Sequence, residues 1–216
     1  MAVTAAMVKE LREISGAGMS ACKNALVEAN GDIKRAVEIL REKGLAAAAK
    51  KAGRVAAEGL VMAKLSADRK NGALVEVNSE TDFVAKNEDF VAFVGQVAEQ
   101  VLASGANDVD ALLSEKWIGD ASQTVKDVLA HKVATIGENI GIRRFARYAT
   151  SANGAVVEYI HTGGRVGVML EVTSAEMSDA VLEAKQGEQD DAGEEAGADA
   201  PVDEVDNVEV EVAEVE

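Results

Sequence analysis

Apolar residues recur at helical spacing through the first 45 positions, and then the texture changes. Met7, Leu11 and Ile14 stand at i, i+4 and i+7 and predict an amphipathic helix capped by Thr4. Gly16-Ala17-Gly18 breaks it. A second helix is predicted with Cys22, Ala25, Leu26 and Ala29 on one face, ending at Asn30-Gly31. Asp32 opens a third, with Ile33, Ala36, Val37 and Leu40 inward and Gly44 as its C-terminal stop. Three such helices within residues 1–44 can just close a miniature core. Residues 45–58 are rich in Ala and Lys and predict a helical connector lying along another surface.

From residue 59 the pattern turns to strands. Leu60–Leu65 and Ala73–Asn78 read as two strands joined by the polar Ser66–Gly72 turn. Asn87–Ser104 carries the strongest helical stripe in the chain: Phe90, Phe93, Val94, Val97 and Val101. Shorter helices are predicted at Val109–Trp117 and Thr124–Ile136, then strands at Ile140–Ala149, Val156–His161 and Val166–Val172. In the last, Val166, Val168, Leu170 and Val172 alternate with Gly167, Met169 and Glu171. Strands, helices and strands again predict an α+β domain over residues 59–173, an antiparallel sheet covered by helices. A marginal helix is expected within 174–186, near Ala175–Ala184, and a disordered acidic tail over 187–216. Val-Glu alternation at Val208–Val212 imitates a strand, but the surrounding like charges favour disorder.

Composition narrows the function classes. Aromatics make up only 3% of residues, so the core must be built from Ala, Val, Leu and Ile. No apolar run reaches the roughly 18–20 residues of a membrane span, and the first 14 residues lack a signal-peptide core, which predicts a soluble cytoplasmic protein with no membrane partner. The net charge of −16 is concentrated: residues 187–216 hold thirteen acidic residues and no basic one, which leaves −3 for residues 1–186. No basic stripe with interleaved aromatics occurs, so direct nucleic-acid binding is not expected. One cysteine excludes an internal disulfide, and Cys22 on an apolar helix face reads as packing rather than as a reactive thiol. Neither His131 nor His161 has a partner at metal-ligand spacing, so no metal or other cofactor is expected.

Catalytic motifs are wanting. No phosphate-binding Gly-x-x-x-x-Gly-Lys-Ser/Thr loop occurs, and Gly16-x-Gly18 follows no strand, as a dinucleotide fingerprint requires. His161-Thr162-Gly163-Gly164-Arg165 reads more simply as a hairpin turn than as an anion loop. The carboxylates scatter over polar faces, with no pair to assign as acid and base. An enzyme working through Cys22 or His161 would require an accessible thiol or imidazole.

The segment that stands out is Val77-Asn78-Ser79-Glu80-Thr81-Asp82-Phe83-Val84-Ala85-Lys86-Asn87, between a strand and a strong helix. One reading is a strand-to-helix turn, with Thr81 or Asp82 as cap and Phe83 packed as a staple. The other is that Phe83 projects and inserts into a partner, where its burial contributes roughly 1.5–3 kcal/mol. Thr81-Asp82-Phe83-Val84-Ala85-Lys86-Asn87 resembles the signature of the elongation factor Ts family. Three further stretches resemble that family in the same order along the chain. They are Val8-Lys9-Glu10-Leu11-Arg12 with Gly16-Ala17-Gly18-Met19 and Ala29-Asn30-Gly31-Asp32; Ala48-Ala49-Lys50-Lys51-Ala52-Gly53; and Ile136-Gly137-Glu138-Asn139-Ile140 with Arg143-Arg144. The likeness runs from about residue 3 to 172.

The resemblance implies a guanine-nucleotide exchange factor that acts by binding rather than as an enzyme. Its partner would be the GDP form of the translational GTPase elongation factor Tu. The three-helix module would be similar to ubiquitin-associated domains and dock on the GTPase domain. Thr81, Asp82, Phe83 and Val84 would dislodge Mg²⁺, with Phe83 inserted beside the nucleotide site, and Ile136 and Gly137 would form a further contact. Longer family members carry a second core subdomain and a C-terminal helical module, so the resemblance implies a C-terminally shortened form. Some short members dimerise, and exposed sheet edges near Val166–Leu170 would suit a homodimer here. The alternative is a non-catalytic adaptor, similar to ubiquitin-associated domains, that docks without exchange.

Overall fold

The computed structural model describes residues 2–150, 153–161, 163–173 and 211–215, the last as backbone only. The fold is α+β, with helices and antiparallel sheet. It divides into two compact units, Met1–Gly59 with Asn78–Asn87 and Val109–Ile142, and Leu60–Val77 with Glu88–Asp108 and Arg143–Glu216.

The first unit opens with three helices. In α1 (Ala5–Ser15) the Thr4 hydroxyl accepts the Met7 amide at 3.3 Å, and Gly16 ends the helix in the left-handed region at φ 65°. The buried side chains are Val8 and Leu11, while Ile14 is 59% exposed. The predicted Met7–Leu11–Ile14 stripe is therefore corrected: Ile14 lies about 120° round the helix from Val8 and faces water. In α2 (Met19–Glu28) Cys22, Ala25 and Leu26 are buried as the spacing predicts. The Cys22 thiol donates to the Ala17 carbonyl at 3.5 Å, in agreement with a packing role. Asn30 and Gly31 turn the chain at positive φ, and the Asp32 carboxylate accepts the Arg35 amide at 3.0 Å to start α3 (Ile33–Lys51).

The predicted stop at Gly44 is not observed. α3 runs on to Lys51, and most of the expected connector is its own second half. Gly44 is buried against α7 (Val125–Ile136), where a Cβ would stand 3.6 Å from the Ala130 carbonyl oxygen. The glycine lies where two helices meet rather than ending one, and the Ala/Lys run that follows is strongly helix-forming. Val8, Leu11, Cys22, Ala25, Leu26, Ala36, Ile39 and Leu40 form the core of the three helices.

The rest of this unit includes α4 (Asp82–Ala85), α6 (Val109–Ser114), a small hairpin and α7. Here a second correction applies. The helix predicted to Trp117 ends at Ser114, and β3 (Lys116–Trp117) pairs antiparallel with β4 (Asp120–Thr124). A two-residue strand leaves no periodicity to read; burial of Trp117 holds it. α7 starts with a capping box in which Thr124 and Asp127 satisfy each other's amides.

In the second unit, β1 (Glu58–Leu65) and β2 (Asn71–Ser79) form a hairpin, and β5 (Gly141–Ala149) lies beside β2. α5 (Glu88–Ala103) buries the whole predicted stripe of Phe90, Phe93, Val94, Val97 and Val101. β6 (Gly154–His161) pairs antiparallel with β7 (Val166–Thr173), and between them the Gly164 and Arg165 amides donate to the His161 carbonyl at 3.2 Å, as in a turn. Gly164, at φ 90°, is required there: a Cβ would meet a Leu60 methyl at 2.2 Å. Gly167 and Met169 form the buried side of β7, while the Val166/Val168/Leu170 side is half-buried. Gly167 presses on Val61 and Leu74, leaving no room for a side chain.

The acidic stretch holds a third correction. Glu211–Val215 form β8, antiparallel to β7 with Gly167 opposite Val215 and Glu171 opposite Glu211. The edge expected to be exposed near Val166–Leu170 is thus paired. A row of unsatisfied amides and carbonyls is a template for any extended segment, and alternation of period two suits it. The helix expected near Ala175–Ala184 and residues 187–210 lie outside the described residues.

Candidate partner-docking site

The site is a single helical turn held by polar contacts. β2 ends at Ser79, whose buried hydroxyl donates to the Thr81 carbonyl at 3.0 Å. Thr81 then takes an extended conformation, φ −129° and ψ 154°, and its Oγ1 accepts the Val84 amide at 3.4 Å to cap α4. A hydroxyl cap on a four-residue turn is a local event, and the cap half of the turn reading is observed. The staple half is not, because Phe83 is 82% exposed. No residue of α4 is fully buried, and the Phe83 ring is left open to solvent. Asp82 pairs with Lys86 one turn on, Nζ to Oδ2 at 2.8 Å, and this hydrogen bond holds its carboxyl below the ordinary range.

Ile136 and Gly137 mark the end of α7. Ile136 is half-buried. Gly137 is exposed and ends the helix at φ 91°, its amide donating to the Val133 carbonyl at 3.1 Å. A Cβ there would meet nothing within 4 Å, so conformation rather than space asks for glycine.

The next residue joins the two stretches. Glu138 Oε2 accepts the amides of Glu80 at 3.0 Å and Thr81 at 3.1 Å, and Oε1 accepts the Thr81 hydroxyl at 2.7 Å. Glu80 returns the contact: its Oε1 accepts the Asn139 amide at 2.5 Å and faces the Arg54 guanidinium at 3.4 Å. The Asn139 side-chain amide donates to the Arg54 carbonyl at 2.8 Å. Thr81–Val84 and Ile136–Gly137 are therefore brought together through Glu138. Arg54, Glu80, Glu138 and Asn139 are absent from the residues chosen from sequence. Glu138 and Asn139 lie within a family-like stretch and Glu80 within the segment that stands out, while no sequence signal marked Arg54.

Among the described residues no group of three or more His, Cys, Asp or Glu is placed to hold a metal ion. None of their helices is long and apolar enough to cross a membrane. What the arrangement can do chemically is present one aromatic ring on a fixed turn, beside a carboxylate.

The elongation factor TS family model matches residues 80–186, which include both stretches. Elongation factor Ts of Clostridium perfringens is 58% identical over 180 residues, 83% of this chain and 58% of that protein. The chain belongs to the elongation factor Ts family. Elongation factor Ts of Clostridium tetani is 54% identical over 170 residues, 79% of this chain and 56% of the relative. That of Clostridium acetobutylicum is 53% identical over 179 residues, 83% and 58% of the two chains. This family member thus spans well under two thirds of the length of the curated relatives it matches.

Proposed function

We propose that this elongation factor Ts family member acts in the cytoplasm as a guanine-nucleotide exchange factor. It binds elongation factor Tu carrying GDP and promotes GDP release by displacing Mg²⁺. Phe83 is the observation that carries this reading: an aromatic side chain, 82% exposed, on a capped turn of which no residue is fully buried. Inserted into a partner it would bury the area it now exposes. Thr81, Asp82 and Val84 complete the inserted turn, and Ile136 and Gly137 supply a neighbouring contact. Helices α1–α3 act as a ubiquitin-associated-like module that docks on the GTPase domain.

Mg²⁺ bridges nucleotide phosphates to protein oxygens in GTPases of this kind, so moving its ligands removes a large electrostatic contribution to GDP affinity. No covalent step is needed, and the chain is no enzyme in that sense. Nucleic acid is not a direct partner. A homodimer joined edge to edge at β7 would have to displace β8, so the active species is taken as one chain on one GTPase.

Stopped-flow release of a fluorescent GDP from elongation factor Tu tests the proposal. The chain is expected to accelerate release in millimolar Mg²⁺, and to add much less once a chelator has removed the metal. Docking without acceleration would favour the adaptor reading instead. Acceleration of equal size with and without Mg²⁺ would contradict the displacement step.

A further inference from the structure

Resting on the exchange reading, we propose that Glu138 is a positioning residue for nucleotide exchange. It fixes the turn that presents Phe83, and the maximal release rate depends on it.

A carboxylate is an acceptor only, and here both its oxygens are committed to one short segment. Oε2 takes the amides of Glu80 and Thr81, which sets the two peptide planes leading into α4. Oε1 takes the hydroxyl of Thr81 at 2.7 Å. That hydroxyl has a single proton. Given to Glu138, it leaves only lone pairs to face the Val84 amide, which is the polarity an N-cap needs. One side chain therefore decides both the direction of the backbone and the sense of the cap.

Apolar packing does not duplicate this hold. α4 has four residues and none is fully buried, so the turn has little core of its own to keep it in place. The return contacts from Glu80 to the Asn139 amide and to Arg54 make the tie reciprocal between segments 57 to 59 residues apart. Charge-assisted hydrogen bonds of this kind are shorter and stronger than neutral ones. Placement matters because an inserted group misplaced by about 1 Å can cost on the order of 100-fold in rate.

The test uses the full chain labelled with 4-fluorophenylalanine. Its four phenylalanines, 83, 90, 93 and 145, give four fluorine resonances, and Phe83→Leu assigns one of them. In Glu138→Ala the Phe83 resonance is expected to shift while those of Phe90 and Phe93 stay. With elongation factor Tu and fluorescent GDP, the same variant is expected to lower the maximal release rate on the order of tenfold. Its half-saturating concentration should change less than its rate. Glu138→Gln, which keeps an acceptor oxygen for the two amides, should recover most of the rate. If Glu138→Ala also moves Phe90 and Phe93, Thr81→Val carries the same comparison, since it deletes the bond to Glu138 Oε1 together with the cap which that bond orients.

An unmoved Phe83 resonance in the variants overturns the proposal. So does a shifted resonance with an unchanged maximal rate, or a loss confined to half-saturation. Absence of acceleration by the unsubstituted chain overturns the exchange reading and the functional role built on it. That result is distinguishable, because the fluorine comparison contains no partner and reports on Glu138 and Phe83 alone.

Discussion

Phe83 leaves roughly 1.5–3 kcal/mol of possible burial unused, in a chain where Phe90 and Phe93 are wholly buried. Its neighbour Thr81 is held by hydrogen bonds to Glu138 and to the Val84 amide. At the same scale His131 makes a pH prediction. The imidazole is half-buried on α7, its Nε2 close to the Gly16 turn, and burial followed by the charge of Lys132 lowers its pKa below the ordinary 6.5. Between that lowered value and 6.5 the unfolded chain binds more protons, so stability rises with pH across the window. The contribution is complete above pH 6.5 and is lost as pH falls through the folded-state value. Thermal melts from pH 7.5 to 5 should show this loss, and His131→Gln should flatten it. A variant as pH-sensitive as the parent would refute the assignment. Thr81 was readable as a cap because capping is local chemistry. Glu138 was not, because its partners lie 57 and 58 residues away and no local pattern records such a pairing.

Elements with a long apolar face were the most legible. The five-residue stripe of α5 spans about three turns, and no alternative period fits it. Gly44 shows the opposite case: glycine near a helix end reads as a stop, yet here it is the point where α3 meets α7. In a helix interior, alanine is favoured over glycine by about 1 kcal/mol. The added Cβ would sit 3.6 Å from the Ala130 oxygen, an ordinary contact. Gly44→Ala is therefore expected to raise the melting temperature. Gly44→Leu should lower it, since overpacking costs about 1–3 kcal/mol. Destabilisation by both substitutions would mean that the helices cannot accept even a methyl group. β3 and β8 were missed for different reasons. The first is too short to show a period, and the second depends on an edge strand that local sequence does not reveal.

For the whole molecule, the net charge of −16 describes a balanced chain of −3 joined to an acidic stretch, so average charge says little about the partner. Exchange by binding is a coupling between two ligands of one GTPase and is reciprocal. On the exchange reading, the factor by which this chain would weaken GDP is the factor by which GDP would weaken this chain. That coupling must be concentrated where the two ligands meet, which on this account is the Phe83 turn, while docking affinity is spread over the rest of the surface. The most direct test compares the chain with Phe83→Ala at saturating concentration, reading release of fluorescent GDP and, in parallel, binding to nucleotide-free elongation factor Tu. The account predicts that the variant still binds but loses acceleration by about tenfold or more, as expected for a central anchor. A variant that accelerates release as fast as the parent would contradict it.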